Sequence, residues 1–88
     1  MKTTPVNTKQ RVRVESKILD GDLGHVLDTG TIRIDPRQSE RERLHTLVHE
    51  WLHVALPELP ERDIRKLERS LGGMLWRQGY RRRKILKK

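Results

Sequence analysis

The stretch Ser39-Glu40-Arg41-Glu42-Arg43-Leu44-His45-Thr46-Leu47-Val48-His49-Glu50-Trp51-Leu52-His53-Val54-Ala55-Leu56 carries the most regular pattern in the 88-residue chain. Apolar residues recur at Leu44, Leu47, Val48, Trp51, Leu52, Ala55 and Leu56, the spacing of a helix with one buried face. Ser39 with Glu42 three residues on has the form of a capping box, which starts the helix there. Pro57 and Pro60 bracket a short connection, and Pro60 suits the first turn of a second helix with apolar positions Ile64, Leu67, Leu71 and Leu75. Gly72-Gly73 lies inside that second helix, where each glycine costs roughly 1 kcal/mol relative to alanine. Such a pair implies close packing against a neighbour, or a bend.

Within the first helix, His49 and His53 are four residues apart, so their imidazoles project from one face about a turn from each other. Glu50 stands beside them, and the three lie out of phase with the apolar stripe. One side of the helix is thus free for chemistry while another meets the core. In a His-Glu-x-x-His arrangement the histidines hold zinc and the glutamate is the general base that takes a proton from a water on the metal. A catalytic zinc needs a third protein ligand and keeps one position open. No histidine follows His53, and Leu56 and Leu59 occupy the positions where a metzincin extension needs Gly and His. A carboxylate is left. Helical phase puts both Glu61 and Glu68 on the inward side of the second helix, and a carboxylate there calls for a partner. Glu61, at the start of the helix, is the favoured third ligand and Glu68 the alternative. His45 is one turn before His49, too far along a straight helix to share the same ion, so a supporting or solvent-facing role is expected.

Working back toward the start, Arg11-Val12-Arg13-Val14-Glu15 alternates as a short strand. Asp20-Gly21-Asp22 marks a turn, and His25-Val26-Leu27 and Thr31-Ile32-Arg33-Ile34 are two further strand candidates. Asp28-Thr29-Gly30 joins them, with a glycine able to take the positive φ of a hairpin turn. Asp35-Pro36 closes the last strand. His25 reads as a structural or exposed strand residue, and Trp51 and Trp76 as core or helix-packing residues. The expectation is an α+β domain over residues 11–80: a short antiparallel sheet of about three strands on a central helix, plus a second helix. Residues 1–10 read as a loose arm and 81–88 as a basic tail.

From Thr31 to Arg83 this order of elements resembles the small zincin-type metalloproteases of bacteria and phages, in outline the ImmA/IrrE and SprT-like groups. The resemblance rests on Thr31-Ile32-Arg33-Ile34-Asp35, on Arg43 to His53 with its His-Glu-x-x-His, and on Glu61 opening a helix that ends Leu75-Trp76-Arg77-Gln78-Gly79-Tyr80. It implies a minimal zincin-like fold, one Zn2+ per chain, and a protein or peptide substrate paired as an extended strand with the edge formed by Thr31, Ile32, Arg33 and Ile34. The third histidine and cysteine zinc ribbon usual in SprT-like enzymes are absent. So is an acid near Gly72, where thermolysin-like enzymes place theirs.

Composition sets the outer bounds. With one-third hydrophobic residues, three aromatics and no cysteine, the core is thin and cannot be stapled by disulfides or thiolate zinc, which leaves a His/carboxylate metal or a partner. The lack of cysteine fits a cytoplasmic setting, and neither an apolar signal core nor a span of roughly 20 apolar residues is present. The net charge of +8 is concentrated late: all 12 acids precede Trp76, whereas seven of the 20 bases follow it. Arg81, Arg82, Arg83 and Lys84 are therefore candidates for phosphate contact with nucleic acid. Two functional classes emerge: a zinc peptidase with His49, His53 and Glu61 on the ion and Glu50 as base, or a basic nucleic-acid- or protein-binding module on the same scaffold without turnover.

Overall fold

A computed structural model describes residues 11–82. It is an α+β arrangement of three strands, β1 (Val14–Ser16), β2 (Gly24–Val26) and β3 (Ile32–Ile34), followed by two helices, α1 (Glu40–Ala55) and α2 (Glu61–Arg77). The arm at residues 1–10 and the tail residues Arg83 and Lys84 lie outside the described residues.

The sheet corrects the antiparallel expectation. Its order is β1-β3-β2, with β1 parallel and β2 antiparallel to β3. The simplest pairing of consecutive strands fails because residues 17–23 between β1 and β2 are long enough to step across a strand's width. The vacated slot goes to the most apolar strand: Ile32 and Ile34 are both fully buried, whereas all three residues of β1 are exposed. A central strand has both edges paired, so the position suits isoleucines rather than Glu15 or Ser16. The hairpin between β2 and β3 turns as expected, with Gly30 at φ 85° and its N–H donating to the Leu27 carbonyl.

Helix α1 begins at the capping box read from the sequence: Ser39 Oγ accepts from the Glu42 N–H at 3.2 Å, and Glu42 Oε1 accepts from the Ser39 N–H at 3.1 Å. Val48 and Leu52 from α1 meet Ile64 from α2 in the main core cluster, with Leu44, Leu56, Leu59 and Leu75 packed around it. The apolar stripes are narrower than expected. Trp51 is 44% exposed and does not serve the core, and Leu67 and Leu71 on α2 are also exposed. Pro60 stands just before α2, at its N-cap, and supplies no side-chain hydrogen bond. Despite Gly72-Gly73, α2 is continuous, and close packing accounts for the first of the pair: a Cβ on Gly72 would lie 2.9 Å from atoms of the His45 ring. Among the described residues no helix is long and apolar enough to cross a membrane.

Candidate metal centre

The four-residue spacing of His49 and His53 on α1 turns both rings to the side facing the start of α2. Their Nε2 atoms are 3.2 Å apart. Glu61, in the first turn of α2, closes the group: its Oε1 is 2.8 Å from His49 Nε2 and its Oε2 is 2.9 Å from His53 Nε2. These three residues could hold a metal ion, since one ligand atom from each lies within 4.8 Å of the others. The chemistry of the set also fits. Two imidazole nitrogens and a carboxylate oxygen are a donor set that zinc accepts. The Pro57–Pro60 connection is what brings Glu61 back over the face of the last two turns of α1.

Glu68, the alternative third ligand, is not part of that group. It reaches the opposite nitrogen of the same histidine, Glu68 Oε1 standing 3.3 Å from His49 Nδ1. Its other oxygen is 2.7 Å from His45 Nδ1. Both glutamates reach toward α1, but about two turns of α2 separate the carboxylate that meets Nε2 from the one that meets Nδ1. His45 takes the supporting position rather than the solvent-facing one.

Glu50 lies beside the cluster and is half-buried. Burial pushes its carboxyl up from the ordinary carboxylate range and Glu61 adds to that push, while His49, His53 and His25 pull the other way. Glu61 moves in the opposite direction: burial acts to raise it, but His49, His53 and Arg65 together hold it below its ordinary value. Two neighbouring carboxyls pushed apart in this way suit different tasks, one accepting protons and the other staying ionised.

A cleft of about 620 Å³ opens beside His49, lined by Leu23 and Gly24 at the β2 side, His49 and Glu50 from α1, and Arg65 and Arg69 from α2; of the three candidate ligands, His49 alone lines it. Here the substrate-strand expectation needs correction. Ile32, Arg33 and Ile34 form the central strand and Thr31 leads into it, so that segment has no open edge. The open edge next to the cleft belongs to β2. Leu23 O accepts from the Asp35 N–H and the Leu27 N–H donates to Thr31 O, so by alternation the backbone groups of Gly24 and Val26 point away from β3. Gly24 went unnoticed in the sequence, lying between the Asp20–Asp22 turn and the strand candidate at His25. A Cβ there would lie 2.6 Å from Thr46 Cγ2 and 3.3 Å from Glu50 Cγ, so only glycine lets the edge approach α1 at Glu50.

The described part of the basic tail is engaged within the chain. Arg81 lies over the Trp76 ring, 3.2 Å from its centroid, and donates to the carbonyls of Trp76 and Tyr80. Arg82 pairs with Glu40. In comparisons with protein families, curated proteins and solved structures, nothing matches this chain.

Proposed function

We propose that this protein is a zinc-dependent hydrolase, in the first instance a peptidase, with His49, His53 and Glu61 as metal ligands and Glu50 as general base. The observation that carries the reading is the convergence of both Nε2 atoms and the Glu61 carboxylate, with His49 and the half-buried Glu50 lining an open cleft. When bound, zinc would acidify a water and polarise a scissile carbonyl. Glu50 would take a proton from a water there, and its raised affinity for protons suits it to hold that proton and return it to the leaving amine. The open edge of β2 orients the substrate as an added strand through Gly24 and Val26, leaving the side chains of Arg65 and Arg69 on the far wall to meet substrate side chains.

The alternative is a basic module that binds nucleic acid or protein through Arg81, Arg82, Arg83 and Lys84 and turns nothing over. One experiment separates the two. Elemental mass spectrometry of tag-free protein should find close to one zinc per chain, lost in His53→Ala. A mixed peptide library should be cleaved by the wild type and not by Glu50→Gln, whose zinc content should be unchanged. Cleavage that survives in Glu50→Gln sinks the mechanism, and absence of zinc from the wild type moves the binding module to first place.

A further inference from the structure

The metal cluster uses one nitrogen of His49; the other is held from behind by a chain of contacts that ends at a missing side chain. Glu68 Oε1 faces His49 Nδ1 at 3.3 Å, and Glu68 Oε2 faces His45 Nδ1 at 2.7 Å. The His45 ring is in turn pressed against α2 at Gly72, where a Cβ would stand 2.9 Å from both Cε1 and Nδ1 and 3.3 Å from Cγ. Glu68 has only 18% of its side chain exposed and His45 only 23%, so neither is a casual surface contact. A carboxylate accepting from Nδ1–H leaves the lone pair of His49 on Nε2, the atom that faces His53 and Glu61.

We propose that Glu68 is the positioning carboxylate of the metal centre, fixing the tautomer and ring orientation of His49, and that His45 lodged against Gly72 fixes Glu68. The proposal rests on the metal-binding reading above and adds three residues to it, none of which touches the ion. It also accounts for a glycine in mid-helix that local propensity disfavours. Alanine at position 72 would favour the helix, yet it would evict the His45 ring and free Glu68 to turn.

The test is zinc affinity by chelator competition, with the visible spectrum of the cobalt(II)-loaded protein as a second readout and far-ultraviolet circular dichroism as a check of folding. Glu68→Ala should weaken zinc by roughly 10–100-fold and alter the cobalt spectrum, the range found for lost outer partners of metal-bound histidines. Glu68→Gln should recover part of that loss, because its amide oxygen still accepts from Nδ1–H. Gly72→Ala should weaken zinc while the metal-free protein melts no lower than wild type. In a His45→Ala background the Gly72→Ala change should have no further effect, since the ring it displaces is gone. Gly72→Ala removes no polar group, so it carries the test alone if Glu68→Ala does not fold. Wild-type affinity in both Glu68→Ala and Gly72→Ala overturns the positioning role and leaves the metal centre standing. A wild-type chain that binds no zinc overturns both.

Discussion

Asp35 ties the segment at Leu19 to the turn at Arg37, and its sequence context gave little sign of it. Its carboxylate accepts from the Leu19 N–H at 3.0 Å, from the Arg37 N–H at 3.0 Å and from Arg37 Nε at 2.9 Å, with Arg37 Nη2 closing a bidentate pair. The Arg37 side chain, then the backbone N–H groups of Arg37 and Leu19, hold the carboxyl well below the usual range. A folded-state value depressed in this way adds stability above the ordinary value of 3.8, and that stability is lost as pH falls below it. Asp35→Asn should therefore lower the melting temperature of the metal-free protein at pH 7, and the gap from wild type should narrow as pH drops below 3.8. Thermal unfolding from pH 7 to pH 2 in the presence of chelator reads the gap directly; a constant gap would refute the assignment. An Asp before Pro reads as a strand ending, and only the fold shows that Leu19, sixteen residues away, is its other partner.

At the scale of elements, the sheet and α1 meet closely where Gly24 faces Thr46 and Glu50. Gly24→Ala should cost about 1–3 kcal/mol through overpacking, because the Cβ would meet Thr46 within a helix whose neighbouring turns are fixed by the core. The same substitution should reduce peptide cleavage more than it reduces zinc binding, since it moves the β2 edge away from Glu50 without touching His49, His53 or Glu61. Comparing chemical denaturation with zinc titration on one preparation checks both parts. The two helices were legible because their signals are local: the Ser39–Glu42 box, the apolar spacing and Pro60 each act within a turn or two. The strands were legible as segments but not in their order. Three-residue strands contain too few side chains to declare which neighbour they pair with, and the central place of β3 follows from the full burial of Ile32 and Ile34, a tertiary outcome. Of the candidate site, His49, Glu50, His53 and Glu61 were reachable from spacing and phase. The role of Glu68 was not, because phase fixes the side of a helix a residue faces but not which ring nitrogen it meets.

For the whole molecule, the core consists of few side chains. Among the described residues the buried hydrophobics are Leu19, Ile32, Ile34, Val48, Leu52, Ala55 and Ile64. A chain of 88 residues without cysteine and with so small a core gains much from a cross-link between its helices. A metal held by α1 and α2 together is such a link. At 100 times its dissociation constant, zinc should add about 2.7 kcal/mol, which for a domain of this size corresponds to a rise in melting temperature on the order of 10–20 °C. Differential scanning calorimetry with zinc and with chelator measures it, and equal melting temperatures would exclude metal bound to the folded state.

The order β1-β3-β2 also matters while the chain is being made. Ile32 and Ile34 leave the ribosome before any residue of α1, the helix that packs against their sheet. At synthesis rates of roughly 5–20 residues per second, the most apolar strand waits on the order of a second for its cover. Until then Ile32 and Ile34 have no helix to cover them, and the charge of Arg33 between them lessens the apolar character of the waiting segment.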